Sequence, residues 1–122
     1  MEPGTSYWTE LVQRAYELQK WELHWLSKMP KSYRYGLGSQ IETSGMVILT
    51  NLLDARYGFE RETAVTNALR VTNHHRYQLR LAHDLALMTP AQQEHALKYL
   101  LEIGRLLASH NKKSRSDSSD PS

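Results

Sequence analysis

Three observations predict an all-α protein, an antiparallel up-down-up-down four-helix bundle. Between Ser6 and His110 only Pro30 and Pro90 interrupt the chain. Apolar residues in that stretch recur at spacings of three and four rather than two, the period of a helix face. Helix-stop and helix-start signals divide it into four long segments, and links as short as these force consecutive helices antiparallel.

The first helix is expected over about 6–29. The Thr5 or Ser6 hydroxyl can cap free N–H groups at its start, and Pro30 disfavours α geometry in the residue before it. The second is expected over about 32–57, starting between Lys31 and Gly38, with Gly58 as a left-handed stop. After a very short connection the third runs over about 61–87. Thr89-Pro90-Ala91-Gln92 then supplies an N-cap, a first-turn proline and a capping-box partner for a fourth helix over about 90–110. Residues 1–110 thus form one domain. Residues 111–122 are Ser, Lys, Asp and Pro without an apolar anchor, so a disordered polar tail is expected.

Composition sets outer limits on the chemistry. The chain has 122 residues, is 40% hydrophobic and carries 15 Lys+Arg against 13 Asp+Glu, a net +2. That suffices for one compact core and excludes a chain that is uniformly basic. No apolar run is long enough to span a membrane, and Met1 to Ser6 has neither the basic nor the apolar region of a leader, so a cytoplasmic location without membrane attachment is expected. The absence of cysteine excludes disulfides, thiol nucleophiles and thiolate metal sites.

The helix faces suggest more than one contact surface. In the first helix Tyr7, Trp8, Leu11, Val12, Ala15, Tyr16, Leu18, Trp21, Leu23, Trp25, Leu26 and Met29 cover far more than the ~100° stripe of a surface helix. The second carries two stripes: Leu37, Ile41, Ile48, Leu52, Ala55 and Phe59, and beside them Tyr35, Met46, Leu49, Leu53 and Tyr57. One faces the core. The surplus, with Trp21, Trp25, Met46, Leu49, Leu53 and Tyr57 as its candidate members, predicts a homo-oligomer interface. A monomer with a thicker core and tilted helices is the alternative.

The cations are gathered. Leu23 to Ile41 contains no acid but holds Lys28, Lys31 and Arg34 beside Tyr33 and Tyr35. Thr63 to His83 is likewise acid-free and holds Arg70, Arg76, Arg80, His74, His75 and His83. Asn73, Arg76, Arg80 and His83 fall at i, i+3, i+7 and i+10 and share one helix face. Guanidinium groups without acids among them suit phosphate contacts, because each planar fork bonds two phosphate oxygens and displaces counterions. The competing reading is a solvated face paired with acids of neighbouring helices.

Catalytic and metal chemistry find little footing. His74 and His75 point about 100° apart, and neither His-x-x-x-His nor Glu-x-x-His occurs, so no metal and no cofactor is expected. No nucleophile elbow is present, and Gly36-Leu37-Gly38 lacks the context of a phosphate loop. Arg76 and His83 form an Arg-x6-His pair that resembles the motif of HEPN ribonucleases, helical and usually dimeric, and the i, i+7 spacing puts both on one face. The companion pair Arg70 and His75 lies about 140° apart on the wheel.

Three segments together carry a family resemblance: Met29-Pro30-Lys31-Ser32-Tyr33-Arg34-Tyr35-Gly36-Leu37-Gly38, Leu79-Arg80-Leu81-Ala82-His83-Asp84-Leu85, and Glu102-Ile103-Gly104-Arg105-Leu106-Leu107. In order and spacing they resemble the accessory variability determinant (Avd) proteins of diversity-generating retroelements, over about Tyr7 to His110. The wider superfamily includes four-helix proteins encoded by intervening sequences of bacterial 23S ribosomal RNA genes. The resemblance implies a bundle assembled into a homopentameric barrel with a basic surface. It implies a non-catalytic adaptor that binds the element's reverse transcriptase and template-repeat RNA during mutagenic cDNA synthesis and retrohoming. Lys31, Arg34, Arg80 and Arg105 lie in the matched segments, and charge clustering adds Arg70 and Arg76, which together make the expected nucleic-acid and partner surface. The chain departs from the family after the Gly-Arg-x-Leu run, reading Leu107-Ala108-Ser109-His110 where a glycine and tryptophan often follow. A HEPN-like ribonuclease using Arg76 and His83, and an interaction bundle of the intervening-sequence type, are the rival readings.

Overall fold

The computed structural model describes residues 3–118, with side chains from Tyr7 to His110. Its elements are α1 (Pro3–Leu26), α2 (Lys31–Tyr33), a π-helical turn (Arg34–Gly38), α3 (Ser39–Tyr57), α4 (Arg61–Asp84) and α5 (Pro90–Ser118), with no strand among the described residues. α1 packs on α3 and α5, and α4 packs on the same two, closing a four-membered ring of long helices. Neighbours run antiparallel. Trp21 of α1 meets His95 near the start of α5, whereas the Tyr7 hydroxyl donates to the Leu106 carbonyl near its other end.

Each long helix buries residues at alternating spacings of four and three. The buried rows are Leu11, Ala15, Leu18, Glu22 and Trp25 on α1; Ile41, Gly45, Ile48, Leu52 and Ala55 on α3; Val65, Ala68, Thr72, His75, Leu79 and Ala82 on α4; and Ala96, Leu100, Ile103 and Leu107 on α5. This is the pattern that lets near-antiparallel helices interdigitate. Burying a leucine in such a layer is worth about 2–3 kcal/mol over leaving it exposed.

The helix ends depart from the simplest sequence signals. α1 stops at Leu26 and not Met29, because a tight turn bonded from Lys28 N–H to the Trp25 carbonyl and from Met29 N–H to the Leu26 carbonyl precedes Pro30. The second segment begins as one α turn at Lys31, widens into the π turn and narrows again at Ser39. Gly58, at φ 81°, ends α3 in the left-handed form, and Phe59 N–H closes onto the Asp54 carbonyl. α4 ends at Asp84 rather than Leu87: Ala86 takes a left-handed φ of 62°, and Leu87 N–H bonds the Ala82 carbonyl. A glycine-type stop built on alanine carries no composition signal. At the start of α5, Thr89 N–H donates to Gln92 Oε1 at 2.9 Å and Gln92 N–H donates to Thr89 Oγ1 at 3.1 Å. The helical backbone then continues through residues 111–118, where the composition predicts a disordered tail. No glycine or proline follows Gly104 as far as Ser118, so nothing in that stretch breaks the helical hydrogen-bond ladder. The last four residues of the expected tail, 119–122, lie outside the described residues. No described helix is long and apolar enough to cross a membrane.

Candidate functional site

α4 presents two opposite faces, and the candidate site is the outward one. Inward, its small and apolar residues fix the helix against α3 and α5. Outward, Arg70, Asn73, His74, Arg76, Tyr77 and Arg80 are exposed. Asn73, Arg76, Tyr77 and Arg80 join Gln93 and Leu97 of α5 as the walls of a cleft of about 390 Å³. No carboxylate is among those walls. The Arg80 guanidinium lies 5.9 Å from the centre of the Tyr77 ring and 3.9 Å from Asp84, an ion pair so exposed on both sides that it contributes at most about 1 kcal/mol. Arg76 has no carboxylate within 4 Å among the described residues. A phosphate or carboxylate arriving here therefore meets guanidinium groups with little internal competition.

The other nominated cations are dispersed. Arg70 donates to Asn67 Oδ1 at 2.9 Å one turn back on α4. Arg34 is half-buried and committed to Glu42 at 2.8 Å, eight residues on in the same helical segment, so an acid of its own segment claims this member of the basic set. Lys31 is exposed on α2, and Arg105 is exposed on α5. The structure thus brings Arg76 and Arg80 into one cleft and leaves Lys31, Arg34, Arg70 and Arg105 on separate stretches of surface.

Of the expected interface residues, Tyr57 at 63% and Met46 at 42% exposed carry open apolar surface, with Leu49 and Leu53 half-buried beside them on α3. Trp25 is a correction: at 7% exposed, with its indole N–H donating to the Leu87 carbonyl at 3.2 Å, it closes the core under the α4–α5 junction and has little surface left for a partner. Trp21 is half-buried, stacked on Trp25 at 6.3 Å and packed against His95 at 5.0 Å. The open apolar surface of α1 lies instead on Tyr16, 50% exposed, and Leu23, 39% exposed, one heptad apart.

For the ribonuclease reading, His83 is absent from the walls of the arginine cleft, and its Nδ1 lies 3.3 Å from Asp84. His75, which forms the companion pair with Arg70 in that reading, is 0% exposed.

His75 belongs instead to a polar relay that the sequence patterning does not single out. Its Nε2–H donates to both Glu22 carboxylate oxygens, at 2.7 and 2.9 Å, and its Nδ1 lies 2.6 Å from Ser44 Oγ. The Ser44 hydroxyl donates to Gln78 Oε1 at 2.6 Å. Glu22, like His75, is fully buried. Gly45 makes room for this layer, since a Cβ there would sit 2.1 Å from Gln19 Oε1 and 3.2 Å from Glu22 Oε1. The signal is present in the sequence as polar residues at core positions: Glu22 between Leu18 and Trp25, and Thr72 and His75 between Ala68 and Leu79. Pairing them needs the fold, because 53 residues separate Glu22 from His75.

A family model described as bAvd-like matches residues 10–114, nearly the whole bundle. No curated protein and no solved structure matches the chain.

Proposed function

Because the chain belongs to the bAvd-like family, we propose that it is the accessory protein of a diversity-generating retroelement, holding the element's reverse transcriptase and template-repeat RNA together during mutagenic cDNA synthesis. The observation that carries the reading is the α4–α5 cleft, in which Arg76 and Arg80 stand beside Tyr77 with no carboxylate in the walls. Guanidinium forks bind phosphate bidentately, and an exposed tyrosine ring offers a stacking face for a base or an anchor for a protein partner. Its role in the element is non-catalytic.

A homopentamer fits the same reading. The half-exposed stripe of Met46, Leu49, Leu53 and Tyr57 on α3 and the exposed Tyr16 and Leu23 on α1 give each protomer two apolar surfaces on adjacent helices, as a ring of identical subunits requires. Closing a ring would repeat the arginine cleft in every subunit and multiply a modest charge per chain into a strong local potential.

The test is co-expression with the reverse transcriptase of the proposed element. Wild type should co-purify with the polymerase and RNA, and native mass spectrometry should give five copies of the chain. Arg76→Glu with Arg80→Glu should lose the partners while keeping helicity and subunit number. Undiminished capture by that double variant would refute the site, and a monomer or dimer would refute the ring.

A further inference from the structure

The buried relay ends at the surface, and where it ends is informative. Taking a carboxylate and an imidazole out of water costs several kcal/mol per charge before their attraction is counted, and an apolar pair of similar volume often packs as stably. Here that arrangement terminates in two half-buried side chains, Ser44 and Gln78, that line a groove between α3 and α4. The groove has a volume of about 490 Å³ and lies on the opposite flank of α4 from the arginine cleft. Polar side chains held from behind by a buried network are pre-organised, which is how proteins fix hydrogen-bonding groups that must recognise something.

The chemistry of the groove narrows the occupant. Val47 and Val71 provide apolar wall, His74 borders it, and Tyr35 at its rim is 77% exposed, a ring open to stacking. Ser44 spends its only proton on Gln78 Oε1, so Gln78 is held with its carbonyl inward. Its amide N–H groups, without a partner among the described residues, remain as donors. No carboxylate lines the groove. A groove with valine walls, an aromatic lip and fixed amide donors suits a nucleobase, whose edge offers acceptors and whose face can stack, better than a sugar, which has no face to stack.

We propose that the α3–α4 groove takes one unpaired nucleobase of the bound RNA, read by Gln78 and Ser44 and stacked on Tyr35, while the arginines across the α4 crest hold the phosphates. This inference rests on the RNA-binding reading above and goes beyond it by separating a base-reading flank from a phosphate-binding one.

Four single-stranded RNA homopolymers of equal length, titrated against the full chain, test the division. Wild type should prefer one base by about tenfold, the scale of a good hydrogen-bonded base contact. Gln78→Leu, and more weakly Ser44→Ala, should level the four affinities while leaving the weakest homopolymer unaffected. Arg76→Glu with Arg80→Glu should lower all four alike. Equal wild-type affinities, or a preference that survives Gln78→Leu, would overturn the groove assignment and leave the arginine reading standing. Loss of polymerase capture by Gln78→Leu with its base preference unchanged would overturn it in favour of a protein occupant. Absence of RNA binding by wild type at low salt would overturn both the groove and the RNA half of the functional reading.

Discussion

His75 and Arg76 are neighbours in sequence and opposites in setting. His75 is fully buried and bonded at both ring nitrogens, to Glu22 and Ser44. Arg76 projects into an open cleft with no carboxylate within reach among the described residues. The contrast separates two uses of a basic side chain on one helix. A base whose partners come from the same chain holds the bundle in register, and removing a partner strands a polar group where water cannot reach it. A base whose partners are missing contributes almost nothing to the fold and is available to another molecule.

The inward side of this comparison should produce the largest stability effects. Glu22→Ala leaves His75 buried without its carboxylate and should cost about 3–5 kcal/mol in urea unfolding. Replacing both partners together, with Glu22→Met and His75→Leu, should recover much of that, whereas an equal loss in the double variant would show that packing rather than the pair is responsible. Gly45→Ala comes next. Its Cβ would collide with the Gln19 side chain, and an overpacked core site typically loses about 1–3 kcal/mol. Adding Gln19→Ala should restore part of the loss if the clash is correctly identified.

Alkaline pH sharpens the comparison through a third residue. Burial raises the Tyr7 phenol from its ordinary 10.0 to about 12, and its hydroxyl donates to the Leu106 carbonyl. A group whose pKa is raised by folding stabilises the fold below its unfolded value, and that contribution fades as pH climbs through the folded one. The stability difference between wild type and Tyr7→Phe should therefore be constant below about pH 10 and shrink toward pH 12. A difference that does not change over that window would show the phenol to be solvated. The smallest effects belong to the surface: Arg14→Ala, which breaks exposed pairs with Glu10 and Glu102, should cost no more than about 1 kcal/mol. Arg76→Glu with Arg80→Glu should shift unfolding by about 0.5 kcal/mol or less per site.

The same contrast explains what the sequence disclosed. The four long helices were legible because three- and four-residue spacing is a local property, as were the Gly58 stop and the pairing of Thr89 with Gln92. The stop at Ala86 was not, since a left-handed alanine is set by the turn it closes rather than by its own preference. The arginine row could be read as a wheel position without knowing any partner. Arg34 is claimed by Glu42 eight residues on in the same helical segment, whereas the isolation of Arg76 depended on which helices meet. Trp25 reads as surplus apolar surface for the same reason: its place under Leu87 is fixed by a hydrogen bond to a residue 62 positions away.

The most direct test of the division between inward and outward bases is RNA affinity as a function of salt, for wild type and for Arg76→Glu with Arg80→Glu. Removing one phosphate-binding cation should flatten the logarithmic salt dependence by about 0.7 for a single strand. Wild type should bind with a steep salt slope, and the double variant should bind more weakly and with a slope shallower by about 1.4, its unfolding curve nearly superimposed on wild type. Equal affinities and equal slopes would contradict the assignment of the outward face of α4 to phosphate binding.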